Sequence, residues 1–276
     1  MTIEEYKKFY ASISSHPKKS LGQNYLVDKN ILYKIEEIAR LGPDDMVIEV
    51  GTGFGFLTGF LADRVKNVIS IEKDKKVFDY VLKKFKEHKN IELINKDALD
   101  VNFKDIVGSY KYKFISNLPY SVASQIIFAL LDAAESFSML VVMVQKEVGE
   151  RICSAPGSKQ YGSFSVIVQS YFDAKIEHNV SPNSFWPKPE VYSVIIKMTP
   201  HKEKIVSDSL RPIFNELVKK SFHTRRKKMI NNLKSIMNQN KLEEIFQKLE
   251  LNTDVRAEQL ELHRFVALAS ELKSTI

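Results

Sequence analysis

Asn117-Leu118-Pro119-Tyr120, at the end of the apolar stretch that starts at Lys113, is the part of this chain with the clearest chemical use. An aromatic exocyclic amine, such as N6 of adenine, is a poor nucleophile because its lone pair is delocalised into the ring. Attack by such an amine needs its hydrogens held. The Asn117 side-chain oxygen is one acceptor, and Pro119 fixes the backbone so that the Leu118 carbonyl can serve as a second. Tyr120 adds a flat face for a base drawn out of its stack. The competing reading is an ordinary Asn-x-Pro turn at a strand end.

The elements around this stretch read as strands and helices in alternation. Met46–Val50 is a buried strand, Gly51-Thr52-Gly53-Phe54-Gly55 a tight loop, and Leu57–Val65 a helix, a pattern that lets backbone amides approach a ligand. A second strand, Val68–Ile71, runs into Glu72, 21 residues after Gly51, where a carboxylate can accept from both ribose hydroxyls of a nucleotide-like ligand. Asp97 follows the strand Ile91–Ile94; it can accept from an adenine amino group or simply hold a turn. Gly51, Glu72, Asp97 and Asn117 therefore all fall at or just past the C-terminal ends of strands, where open parallel α/β sheets bind ligands. The glycine loop alone leaves a dinucleotide oxidoreductase open. Glu49, the Asn-Leu-Pro-Tyr strand end and a count of seven strands favour S-adenosyl-L-methionine, a donor that needs no metal and no covalent enzyme intermediate.

Further along, helices are expected over Lys29–Arg40, Lys75–Lys86, Gln125–Ala134 and Lys146–Cys153, with strands over Ser138–Gln145, Ala174–Val180 and Tyr192–Met198. Apolar residues at helical spacing and an Asp28 cap support the first of these helices. From Ser207 onward the pattern is helical, including Arg211–Lys220, Lys227–Gln239 and His263–Lys273. Residues 1–20 read as a mobile basic arm, 21–200 as the ligand-binding domain and 201–276 as a small helical domain.

Composition sets wider bounds. The 276 residues are 44% hydrophobic and 27% charged, which excludes disorder, and the longest apolar run, Met139–Val144, cannot span a bilayer. A single cysteine, Cys153, excludes an intrachain disulfide or a cysteine-rich zinc site and suits a reducing cytoplasm. No membrane and no metal are expected, and the chain is expected to act as a monomer. The net charge of +7 favours a polyanionic partner. The run Lys219–Lys228 holds six basic residues and no acid, either a solvated helix face or a phosphate-binding site; the single sign and the adjacent Phe222 favour the second.

Several stretches together resemble the KsgA/RsmA family of small-subunit rRNA adenine dimethyltransferases over nearly the whole chain. They are Lys18 to Leu26, Glu49 to Thr58, Asp97-Ala98, Asn117 to Tyr120, Gln145 to Val148, Gly157 to Gly162, Phe185-x-Pro187-x-Pro189-x-Val191, and Arg225-Arg226-Lys227 with Asn232-Leu233. The resemblance implies an α/β fold: a Rossmann-like class I methyltransferase domain with a seven-stranded, mostly parallel sheet, followed by an all-helical C-terminal domain. It implies cofactor contacts at Asn24, Leu26, Gly51, Glu72, Asp97 and Asn117, and a flipped adenine held between Tyr120 and Phe185. RNA contacts are expected at Lys18, Lys19, Arg225, Arg226, Lys227 and Lys228. Thr52 stands where the family usually has Pro, Leu21 where it has Phe, and Ala123 where it has Ser or Thr.

The activity implied is dimethylation of N6 on two adjacent adenosines near the 3′ end of small-subunit rRNA, in a partly assembled small subunit. Two alternatives stay open: a large-subunit enzyme of the Erm type, which shares the catalytic motif, and a non-catalytic ribosome-assembly factor of the same fold. Replacing Arg225, Arg226, Lys227 and Lys228 by Gln is expected to weaken RNA binding. The slope of log affinity against log salt should fall by roughly 0.7 to 0.9 for each phosphate that the protein no longer neutralises, with cofactor affinity unchanged. Anisotropy titrations over a salt series measure this, and an unchanged slope would return the run to a solvated helix face.

Overall fold

The computed structural model describes residues 3–13, 16–17, 22–224 and 227–275. Among these, the first part of the chain forms α1 (Ile3–Ser12), β1 (Tyr25–Leu26), α2 (Lys29–Ala39), β2 (Met46–Val50), α3 (Phe56–Ala62), β3 (Asn67–Glu72), α4 (Lys75–Lys84), β4 (Ile91–Asn95), α5 (Phe103–Val107) and β5 (Tyr112–Asn117). There follow α6 (Ala123–Leu131), β6 (Phe137–Gln145), α7 (Lys146–Cys153), α8 (Ser163–Gln169), β7 (Phe172–Val180), β8 (Phe185–Trp186) and β9 (Ser193–Pro200). The last helices are α9 (Arg211–Ser221), α10 (Met229–Leu233), α11 (Gln239–Lys248) and α12 (Leu262–Thr275). No helix among the described residues is long and apolar enough to cross a membrane.

Seven strands form one sheet in the order β4-β3-β2-β5-β6-β9-β7. The pairings β3 with β4, β2 with β3, β2 with β5 and β5 with β6 are parallel, whereas β9 runs antiparallel to β6. The parallel strands are near-continuous apolar runs because both faces are covered: Val47, Ile48, Phe114 and Ile115 are fully buried. This is the seven-stranded, mostly parallel sheet that the sequence leads one to expect.

The chain divides into two compact units, one of Met1–Gly149 with Ala174–Pro200, the other of Glu150–Asp173 with His201–Ile276. A single cut near residue 200 therefore misplaces residues 150–173. Their side chains are committed to the helical unit: the Tyr161 hydroxyl donates to the Leu260 carbonyl at 3.0 Å, and its ring meets Phe222 edge to face. Inside this unit α9 packs against α8, α10 and α12 through a buried core that includes Phe214, Leu217, Phe246 and Phe265. Of the helix expected over Lys227–Gln239 only Met229–Leu233 is helical; Asn238, in extended geometry, instead caps α11, its side chain accepting from the Lys241 N–H.

The N-terminal residues differ more sharply from the expected mobile arm. Residues 3–12 form α1, and its Tyr6 and Tyr10, one turn apart on one face, are buried with Tyr25 and Phe54. The signal was present in the order Tyr6, Phe9, Tyr10, Ile13, but the lysines interleaved with it dominate a reading by charge.

Beneath the glycine loop lies a small buried polar network. Glu49 accepts from the Thr58 hydroxyl at 2.6 Å and the Ser70 hydroxyl at 2.7 Å, and Thr52 bonds Ser70 at 2.6 Å. The hydroxyl of Thr52, where the family usually has Pro, thus extends the network that fixes the loop. Burial pushes the Glu49 carboxyl from 4.5 up to about 8, against the two hydroxyl donors that favour its ionised form. Between these values the folded protein holds a proton that the unfolded chain has lost, so this group's contribution is complete below about pH 4.5 and declines as pH rises through about 8. Glu49→Gln is expected to flatten that decline, which urea denaturation at pH 5 and pH 9 would measure; an unaltered pH dependence would show that Glu49 is ionised in the fold.

Candidate active site

Strand β2 is the point from which the sheet grows in opposite directions, to β3 and β4 on one side and to β5 on the other. Such a switch point leaves a crevice at the C-terminal strand ends, and here it is a cleft of about 810 Å³, open mouth included. Asn24, Gly51, Glu72, Asp97, Asn117, Leu118 and Pro119 all line it. Gly51, at φ +83°, lets the loop pass close to the tip of β5: a Cβ there would stand 3.4 Å from Pro119 Cδ and 3.5 Å from the Asn117 carbonyl.

Asn117 is held at the edge of the cleft with its two amide atoms in unequal states. Its Nδ2 donates to the Asn24 carbonyl at 3.1 Å, while its buried Oδ1 has no hydrogen-bond partner in the protein. A buried acceptor left in this state costs free energy unless a ligand satisfies it. Leu118 is anchored from behind, its N–H donating to the Met143 carbonyl at 3.1 Å, and the Pro119 carbonyl accepts from Val122 to begin the turn into α6. Ala123, buried at the start of α6, does not line the cleft.

Glu72 is 8% exposed at the end of β3. One oxygen accepts the Gly53 N–H at 2.9 Å and the other the Asp74 N–H at 2.8 Å, and the Lys73 backbone N–H is a third donor to the carboxylate, which leaves acceptor capacity for a further donor. Burial raises its pKa, opposed by those backbone donors. Asp97 has a different environment: one oxygen accepts the Leu99 N–H at 3.1 Å and the other pairs with the Lys73 ammonium, and these bonds lower its pKa.

Tyr120 is half-buried, and its hydroxyl bonds Ser193 Oγ at 2.5 Å; burial pushes its pKa up to about 12, so the phenol stays neutral. Phe185 lies beside it, but the two rings meet edge to face at 6.3 Å and 71°. Two parallel faces, as a base held between them would need, are not what this arrangement offers. Phe185 is 3% exposed and belongs to the core with Leu26, its partner across the β1–β8 ladder. Leu26 likewise points into that core rather than into the cleft; its carbonyl accepts from the Tyr6 hydroxyl.

Of the expected RNA-binding residues, Lys18, Lys19, Arg225 and Arg226 lie outside the described residues, as does Leu21. Lys227 is exposed, and Lys228 pairs with Asp254. Cleft residues not singled out from the sequence include Gln23, Lys73, Lys96 and Ile126. Gln23 and Lys73 are sequence neighbours of Asn24 and Glu72, and adjacency to a strand-end residue was the signal that could have found them; Ile126 reaches the cleft only because α6 folds back over β5.

A family model described as "Ribosomal RNA adenine dimethylase" matches residues 14–274. A "Ribosomal RNA small subunit methyltransferase A" of Clostridium botulinum is 41% identical over 253 residues, covering 91% of this chain and 92% of its own. The protein of the same name in Geobacter metallireducens is 36% identical over 258 residues, covering 91% and 94%. Among solved structures, a dimethyladenosine transferase from Plasmodium falciparum matches at 25% identity with a TM-score of 0.78, over 90% of this chain and 97% of that one. The 23S rRNA methyltransferase ErmE shares the fold at 23% identity with a TM-score of 0.71, over 91% and 100%. With the strand-end cleft, the Asn-Leu-Pro-Tyr tip and a match over almost its full length, this chain belongs to the ribosomal RNA adenine dimethylase family.

Proposed function

We propose that this enzyme methylates N6 of two adjacent adenosines near the 3′ end of small-subunit rRNA, in an assembling subunit, with S-adenosyl-L-methionine as donor. The observation that carries this reading is the unpartnered, buried Asn117 Oδ1 at the rim of a nucleotide-sized cleft. Because Nδ2 donates to Asn24, the amide is held in one orientation, and the buried atom left without a partner is the acceptor Oδ1. An amine with two hydrogens is the complementary group. Small-subunit rRNA is favoured over the large-subunit alternative by relatives 36% to 41% identical that carry the small-subunit name, whereas the Erm-type structure contributes likeness of fold.

The residues present fit the donor. Glu72, buried at the strand end with its carboxylate held by backbone donors, suits a ribose hydroxyl. Gly51 and Gly53 bring backbone close to the ligand, and Asp97 sits where a base edge would meet it. When bound, the donor supplies an electrophilic methyl on a sulfonium and needs no metal. The protein's own task is placement: Asn117 Oδ1 and the Leu118 carbonyl hold the amine hydrogens so that the nitrogen lone pair faces the methyl. Tyr120, fixed by Ser193, presents one face to the base, and Phe185 supports the Tyr120 ring from its edge. No side chain among the described cleft residues is assigned as a general base, so the proton released after transfer passes to water.

Asn117→Ala is expected to fold, to bind the donor and to lose methyl transfer by about two or more orders of magnitude, in the range seen when an orienting donor or acceptor is removed from a transition state. Single-turnover transfer of labelled methyl to small subunits lacking the modification measures this, and activity within about tenfold of the parent would remove Asn117 from the role. Tyr120→Ala should cost stacking of about 1 to 3 kcal/mol, and Tyr120→Phe, which keeps the face but loses the Ser193 bond, should fall between. The substrate assignment is tested with the same assay on protein-free large-subunit rRNA: efficient modification there, with small subunits untouched, would overturn it.

A further inference from the structure

We infer that Tyr10, on α1, is a positioning residue for the cofactor cleft, acting through Gln23 and Tyr25, which line it. This rests on the reading of that cleft as the S-adenosylmethionine site. A chain of contacts runs from Tyr10 toward Glu72, with the side chain and the backbone N–H of Asp74 joined only covalently within it. The Tyr10 hydroxyl donates to Gln23 Oε1 at 3.1 Å. Gln23 Nε2 donates to Asp74 Oδ2 at 3.3 Å, and the Asp74 N–H donates to Glu72 Oε1 at 2.8 Å. Gln23 and Glu72 both line the cleft; Tyr10 does not.

The direction of the path is set by the phenols. Tyr10 and Tyr25 lie 2.6 Å apart, oxygen to oxygen. With the Tyr10 proton given to Gln23, Tyr25 must be the donor between them. Burial keeps both phenols protonated, that of Tyr10 being pushed up to about 12. Tyr25 itself lines the cleft, its ring under Gly53 at a distance that would put a Cβ 3.0 Å away. Tyr10 therefore grips the cleft wall at two points, the Gln23 amide and the Tyr25 hydroxyl.

Neither anchor is an accident of a loose surface helix. Tyr10 is 5% exposed and sits with Tyr6, Tyr25 and Phe54 in one aromatic cluster, and Phe54 belongs to the glycine loop. Removing the Tyr10 hydroxyl would take one bond from Gln23 Oε1 and the acceptor from the Tyr25 hydroxyl, loosening two groups that line the cleft. Asp74 stays fixed as the N-cap of α4, accepting from the Lys76 N–H at 3.1 Å. The family match starts at residue 14, so α1 lies outside the matched region while the cleft groups it bonds, Gln23 and Tyr25, lie inside it.

The test uses the full chain and calorimetric titration with S-adenosylhomocysteine. Tyr10→Phe keeps the buried ring and deletes the hydroxyl with its two bonds; binding should weaken about threefold to tenfold, a range typical of hydrogen-bond deletions, with unchanged stoichiometry. In Gln23→Ala, adding Tyr10→Phe should weaken binding less than it does in the parent, because one of the two Tyr10 anchors is already lost and only the Tyr25 hydroxyl remains. Tyr6→Phe is the control: it removes a hydroxyl from the same helix, but one bonded to the Leu26 carbonyl, and should stay within about twofold of the parent. In steady state Tyr10→Phe should raise the cofactor KM with kcat nearly constant. The inference is overturned if Tyr10→Phe binds like the parent, if its effect multiplies with that of Gln23→Ala, or if Tyr6→Phe is equally damaging. Failure of the parent chain to bind the probe would instead sink the cofactor reading itself, and this inference with it.

Discussion

The hydrogen bond from the Asn117 amide to the Asn24 carbonyl is the constraint on which the site depends. It joins the tip of a central strand to a segment 93 residues earlier in the chain and decides which way the amide faces. Everything near it has to permit that closeness. Gly22, at φ +62°, packs so tightly that a Cβ would stand 2.8 Å from the Tyr120 N and 2.9 Å from the Ser121 N, backbone atoms that cannot move aside. Gly51 is required for a different reason: its φ of +83° favours glycine, whereas a Cβ there would meet only ordinary contacts.

Burial acts differently on the acids around this cleft, and their environments separate their tasks. Glu49 lies below the glycine loop with hydroxyl donors on one oxygen, and desolvation favours its neutral form. It is a structural acid. Glu72 is nearly as buried, but backbone N–H groups meet both of its oxygens and orient them toward the cleft. Asp97, paired with the exposed ammonium of Lys73, is kept in its charged form. Position at a strand end puts the two acids Glu72 and Asp97 in the same cleft, while the number and kind of donors around each sets what it can offer.

The aromatic cluster gives the glycine loop a support that hydrogen bonds alone would not. Phe54 has the rings of Tyr6, Phe9, Tyr25, Tyr10 and Tyr80 around it, all edge-on, at centroid distances from 4.7 to 5.8 Å. Edge-to-face contacts of this kind are favourable because ring edges are positive and faces negative, and they are directional where aliphatic packing is not. A loop made mobile by its glycines is in this way held through the one large side chain among them.

How much of this was written in the sequence depends on the range of the interaction. Strand ends, the glycine loop, the positions of Gly51, Glu72, Asp97 and Asn117 and their convergence at a switch point follow from local periodicity and from the rules by which parallel sheets are connected, so they could be read in advance. The helix α1 was also locally encoded, in Tyr6 and Tyr10 at one-turn spacing, although its lysines concealed it. What no local pattern carries is the outcome of packing between distant segments. Whether Phe185 offers a face or fills a core is decided by Leu26 across a two-residue ladder. The grouping of residues 150–173 with the C-terminal helices follows from Tyr161 reaching Leu260, 99 positions away. The acceptor state of Asn117 is decided by a carbonyl that only the folded chain brings within 3.1 Å. Sequence determined which groups stand at the strand ends; tertiary structure alone decided which of their atoms were left unpaired, because hydrogen bonds are allotted by distance in space and not along the chain.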